Sequence, residues 1–231
     1  MNYIDKILEG SIYRNELIKL FYLFPVNRGE LTKYTNNQLE TVATSLIDII
    51  KDTSIENIVD IIEANRESIA CLTPANIPQF SNIEIIDDVL DIVNSSEDIS
   101  FEDIGYYLNK KASKGAQTKY GENHYKTAAV IGLTYSEKPF GVTYLGKKYM
   151  LIHTDAKENI RNKLFLRVPI IQTIMLNAKY KKTVPMNILQ QYLSKSTSIR
   201  RRSNVRTMVE YVYKSADVGF QIEIQKNLDW K

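Results

Sequence analysis

Between residues 196 and 213, hydroxyl side chains run into three consecutive arginines, and those run into an apolar stripe. Ser196, Thr197 and Ser198 can each accept a hydrogen bond from a free backbone N–H at a helix start. Val205, Met208, Val209 and Val212 are spaced i, i+3, i+4 and i+7, which marks one buried helix face. Arg200, Arg201, Arg202 and Arg206 then belong to the first two turns of a helix held by its other side. Planar guanidiniums presented this way suit phosphate oxygens and guanine edges. Ser198 and Asn204 complete the polar set at this end of the chain. The plain alternative is a basic helix end that is merely solvated.

A second set of candidates precedes it. Lys119 lies just before, and Asn123, His124 and Lys126 at the start of, an expected helix over 122–133, where base or phosphate contact fits their types; for His124 a surface capping role fits equally well. Lys138, Lys147 and Lys148 fall on or beside an expected hairpin and would contact phosphates only. Tyr120, Tyr125, Tyr135, Phe140, Tyr144 and Tyr149 interleave with these lysines. They suit stacking on single strands, but packing of the hairpin onto its core is the preferred reading.

Other chemistry finds less support. A restriction-type nuclease needs an acid on one strand and an acid-x-Lys on the next to hold Mg²⁺. Asp217 with Glu223 and Lys226 has the wrong spacing, and Asp103 with Lys110 starts on an expected helix. No Ser/His/Asp set, phosphate loop or metal-ligand spacing is present, so no catalytic residue, metal or cofactor is assigned. Magnesium enters only if the chain is itself a nuclease. His153 is expected to end a strand. The single cysteine, Cys71, precludes an internal disulfide and sits in an apolar stretch that reads as core.

The net charge of +3 conceals an asymmetry. Residues 1–105 carry 19 acids and 7 bases, a net of −12, whereas residues 106–231 carry 8 acids and 23 bases, a net of +15. Cationic side chains gain by releasing counterions from phosphates, so the basic half carries the mark of a nucleic-acid binder. The acidic half suits a protein partner, or tempers non-specific binding. No apolar basic-led start and no long uncharged run appears, so no signal peptide or membrane span is expected, and a cytoplasmic location follows.

These residues need elements to position them. Residues 1–24 read as helix with a break at Gly10, followed by a turn over 24–29. Helices are expected from Thr35, from a capping box at Thr53 to Glu56, and over 83–93. The acids at Glu84, Asp87, Asp88 and Asp91 read as a solvated face. After a linker at 94–98, a short helix over 100–108, a basic loop over 110–121, the helix over 122–133 and strands at 142–145 and 148–153 give the order of a winged helix. A long helix over 155–178, interrupted near Pro169, leads to a repeat of that order: a helix over 184–193, the arginine helix, and an edge strand over 218–224.

At this point the chain resembles a family. Gln117, Tyr120, His124-Tyr125, Ala128-Ala129 and Ile131-Gly-Leu133 are similar to a signature of winged-helix domains attached to bacterial restriction enzymes and related defence proteins. Val142-Thr-Tyr-Leu-Gly146 resembles that family's wing, and Ser196-Thr197 with residues 201–206 resembles its second segment. The likeness covers about the last 130 residues. It departs where the paired aromatics are His124 and Tyr125, where the usual tryptophans are Met208 and Tyr211, and where a threonine is Asn204. No family likeness extends over residues 1–95.

The expectation is therefore a mainly α chain: an acidic helical bundle over 1–95, a first winged helix over 96–154, and a linker helix with a second winged helix over 155–231. Its partner would be double-stranded DNA, as the recognition component of a restriction-modification or phage-defence system. The resemblance leaves open a Mg²⁺-dependent endonuclease, the acidic bundle leaves open a protein partner, and a homodimer is open.

Overall fold

A computed structural model of the chain describes residues 3–24, 26, 28–80 and 82–231. It is mainly helical. α1 (Tyr3–Leu8) and α2 (Arg14–Leu23) are separated at Gly10, whose φ of 64° lies in the left-handed region that glycine tolerates. The expected turn over 24–29 includes Pro25 and Asn27, which lie outside the described residues, and a single helical turn, α3 (Arg28–Leu31), follows. α4 (Asn36–Asp52) opens with the reciprocal Thr35–Gln38 capping box. α5 (Ile55–Glu63) is capped by Ser54 rather than Thr53, because Thr53 is buried and donates to the Ile49 carbonyl.

α6 (Ile85–Asn94) buries Ile86, Val89, Leu90 and Val93 and turns Asp88 and Asp91 outward. α7 (Phe101–Leu108) starts at a Ser100–Asp103 capping box. α8 (Lys114–Val130) begins eight residues before the expected start, so the basic loop over 110–121 is largely helix. Gly121 misleads, because it is a packing residue, as is Gly105 of α7. A Cβ on Gly121 would lie 2.0 Å from the Phe101 carbonyl oxygen, and one on Gly105 would lie 1.8 Å from that of Gln117. The pairs 101 with 121 and 105 with 117 have one common sum, so α7 and α8 run antiparallel with their backbones touching. The Gln117 amide then donates to the Asn109 and Lys110 carbonyls at the end of α7.

The first hairpin is replaced by helix. Thr134 and Val142 form one antiparallel bridge, and then α9 (Tyr144–Met150) begins at Thr143, whose hydroxyl accepts from the Gly146 N–H at 2.9 Å. Leu145 and Tyr149 are buried four residues apart, so the apparent alternation was one face of a helix. The Tyr125 hydroxyl holds the loop before α9, donating to the Tyr135 carbonyl and accepting from the Gly141 N–H. Phe101, Tyr125 and Phe140 form one ring cluster, with Phe101 stacked on Phe140 at 4.5 Å.

α10 (Thr154–Leu164) starts at His153, which is therefore a cap position and not a strand end. A 3-10 turn at Phe165–Arg167 leads to α11 (Pro169–Ala178), with Pro169 at its first position. α12 (Pro185–Gln190) and α13 (Lys195–Lys214) follow. The second expected wing is also helix: α14 (Val218–Asn227) is capped by Asp217, whose carboxylate accepts from the Phe220 N–H. In the alternating run 218–224, Phe220 and Ile224 are buried while Val218 and Ile222 face outward.

The chain divides into two compact units, Met1–Ile77 with His153–Lys231, and Pro78–Ile152. These differ from the expected boundaries at 95 and 154. In the first unit α10 packs on α4 and α11 on α5, so the amino-terminal helices and the carboxyl-terminal ones share a core. Lys163, inside that core, donates to the Ile50 and Lys51 carbonyls and closes the end of α4. In the second unit α6 packs on α7, α8 and α9. The charge asymmetry changes with this division. The first unit carries 22 bases and 17 acids, a net of +5, and the second carries 8 bases and 10 acids, a net of −2. Cys71 is exposed, not core.

Candidate nucleic-acid interface

α13 is fixed by its neighbours before its surface is considered. Ser194 caps it, accepting from the Thr197 N–H, two residues earlier than the expected cap at Ser196. The helix therefore starts sooner, and the arginines fall in its second and later turns. Val205, Met208, Val209 and Val212 are fully buried, as their spacing requires. α11, α12 and α14 all pack against α13. The short α12 precedes it across residues 191–194 only. The start of α12 is pinned by the tail: Thr183 and Leu228 form a parallel bridge, with Thr183 N–H donating to the Asn227 carbonyl and Asp229 N–H to the Thr183 carbonyl.

The expected site residues on α13 part company. Ser198 is wholly buried and donates to the Ser194 and Leu193 carbonyls, so it is a structural hydroxyl. Asn204 is buried as well. Arg201 turns inward: its Nη1 donates to the Pro74 carbonyl at 2.6 Å and the Ile77 carbonyl at 2.7 Å. Burial, and then the adjacent Arg200, push its guanidinium down from its ordinary value. Arg200 and Arg202 are exposed, and Arg202 reaches the Trp230 carbonyl at 3.3 Å. Arg206 is exposed and paired with Glu210 at 2.7 Å. None of the three consecutive guanidiniums forms an ion pair among the described residues.

The same face carries residues that the sequence pattern did not single out. Lys195, Ile199 and Ser203 are exposed alongside Arg200, Arg202 and Arg206. The sequence holds a signal for this surface. From residue 159 to residue 209 there is no Asp or Glu, yet there are eleven Lys and Arg. Five of these are absorbed by the fold, Arg201 among them. Arg161 and Lys163 are buried, Arg167 stacks over Phe21, and Lys179 pairs with Asp60 and Glu63 at 2.7 Å each. Lys181, Lys182, Lys195, Arg200, Arg202 and Arg206 remain at the surface.

The first expected site behaves differently. His124 lies in the middle of α8, is 1 % exposed, and its Nδ1 donates to the Tyr120 carbonyl at 2.8 Å. Burial pushes its imidazole below the ordinary value of 6.5. Lys119 and Lys126 are exposed, but both donate to Glu122, at 2.7 and 2.6 Å. Those hydrogen bonds, Lys119's first, hold the Glu122 carboxyl below its ordinary value. Asn123 is half-buried. α7 lies along α8 and covers one side of it. Lys138 lies in the loop before α9, over the Phe140 ring, while Lys147 and Lys148 are on α9 itself. Lys138 is thus in the loop that the Thr134–Val142 bridge closes, and Lys147 and Lys148 are on a helix in place of the expected hairpin.

Of the acids weighed for metal chemistry, Asp217 caps α14 and Asp103 caps α7, while Glu223 is exposed within α14. Among the described residues no three His, Cys, Asp or Glu side chains gather to hold a metal. Among the described residues no helix is long and apolar enough to cross a membrane. The chain matches no family model, no curated protein sequence and no solved structure.

Proposed function

We propose that this chain binds double-stranded DNA through its first unit. In this reading α12, residues 191–194 and α13 form a helix-turn-helix, and the amino-terminal half of α13 lies in the major groove. A short helix crossing the backbone and a longer one entering the groove is the arrangement such motifs use. The observation that carries the reading is the acid-free run over 159–209, whose unabsorbed cations are concentrated on α12's approach and the outer face of α13. Lys195, Arg200, Arg202 and Arg206 would make the contacts, with Lys181 and Lys182 on phosphates. The likeness to winged-helix domains of restriction enzymes and defence proteins supports a recognition role in such a system. The wings it would need are replaced by α9 and α14, so contact is assigned to helices alone.

Fluorescence anisotropy on a labelled duplex tests this. The triple variant Lys195→Ala, Arg200→Ala, Arg202→Ala is expected to lose affinity and to flatten the salt dependence by about one logarithmic unit per phosphate contact removed. A wild-type chain with no affinity for any duplex at about 50 mM salt removes the reading.

A further inference from the structure

We infer that Ile199 reads thymine in the bound duplex, through the C5 methyl group that thymine projects into the major groove. The inference rests on the DNA-binding reading above and deepens it. Ile199 is 54 % exposed in the second turn of α13. Solitary exposed apolar residues are ordinary, and its neighbours are what set this one apart. Lys195, Arg202 and Arg206 stand four residues before it and three and seven after it, so all four lie on one stripe of the helix. That stripe is about 16 Å long, which is the reach of a helix along roughly five base steps. Within it Ile199 is the one side chain that neither donates nor accepts a hydrogen bond. It cannot serve a phosphate, a guanine edge or an adenine edge. The one apolar group that a base pair offers in the major groove is the thymine methyl. The guanidiniums and ammonium around it hold the helix to the backbone, and burial of the branched side chain against a methyl group supplies discrimination that they do not.

The test uses the full chain and a duplex selected by it from a random pool. Each thymine of that duplex is replaced in turn by deoxyuridine, which pairs identically and lacks only the methyl. The wild type is expected to weaken about fourfold at one or two positions, the effect of one buried methyl group. Ile199→Ala is expected to bind the thymine duplex about as weakly, with no further loss on the uracil duplex, and with an unchanged thermal midpoint. Arg202→Ala is expected to weaken both duplexes alike while keeping the discrimination. Equal wild-type affinity for thymine and uracil at every position overturns the inference while leaving DNA binding intact. So does a selected site without thymine, or discrimination that survives in Ile199→Ala. A wild type that selects no duplex removes the DNA-binding reading itself.

Discussion

Gly121 of α8 meets the carbonyl oxygen of Phe101 in α7 at backbone contact: a Cβ there would sit 2.0 Å from that oxygen. Neither partner is a flexible side chain, so the clash cannot be relieved by a rotamer change. Gly121→Ala is therefore expected to destabilise the chain by about 3 kcal/mol or more, the upper range for overpacking. Gly105→Ala should do the same against Gln117. Gly115, with nothing within 4 Å of its Cβ position, is the control, and Gly115→Ala should stabilise slightly. Urea midpoints of the three variants decide the matter.

The three consecutive arginines are expected to separate by role. Arg201→Ala leaves the Pro74 and Ile77 carbonyls without their donor, at a cost of about 1–3 kcal/mol of stability. Its effect on duplex affinity, measured below the unfolding transition, should be small. Arg200→Ala and Arg202→Ala should show the reverse pattern, with little change in thermal midpoint and weaker duplex binding. Loss of affinity confined to Arg201→Ala would contradict the assignment.

His124 gives a pH dependence with a definite sign. Burial holds its folded pKa below the ordinary 6.5, against the opposing hydrogen bond to Tyr120. In the unfolded chain the imidazole takes a proton as pH falls through 6.5, while the folded chain resists. Stability is thus complete above that value and declines as pH drops toward the lower folded value, by up to about 1.4 kcal/mol per pH unit. His124→Gln should flatten this slope between about pH 5 and pH 7, measured by urea midpoints. A slope unchanged in the variant would assign the dependence to other groups.

Lys163 is a buried cation whose ammonium donates to two carbonyls at the end of α4. There it meets the negative end of that helix. Lys163→Met keeps the volume and removes the donor, and is expected to cost about 1–3 kcal/mol. Hydrogen exchange at the last turn of α4 should rise more than exchange in α7 or α8.

Several elements were legible from local pattern alone. Thr35, Ser100 and Pro169 announce α4, α7 and α11 because a cap or a fixed φ acts within one turn and needs no distant partner. The buried stripe of α13 was likewise visible, since a spacing of 3.6 is intrinsic to the helix. The wings were not. Residues 142–145 and 218–224 alternate apolar and polar, a pattern that fits a strand and also fits a helix buried on one side; Thr143 and Asp217, as caps, made both into helices. Gly121 read as part of a loop because its reason for being a glycine lies in α7, a separate segment of the chain.

The interface divides the same way. Residue order alone determined that cations without carboxylates accumulate over 159–209, and that α13 has one apolar side. Which cations face water was settled by folding. Arg201 turned toward the carbonyls of residues 74 and 77, Ser198 toward those of 193 and 194, and Arg200 and Ile199 outward. Four neighbouring residues on a helix point in different directions, and the packing around Ser198 and Arg201 leaves Arg200 and Ile199 facing water. The apparent opposition of an acidic half and a basic half dissolved for the same reason: each unit packs helices from both halves, so the charge belongs to the folded unit and not to the order of residues along the chain.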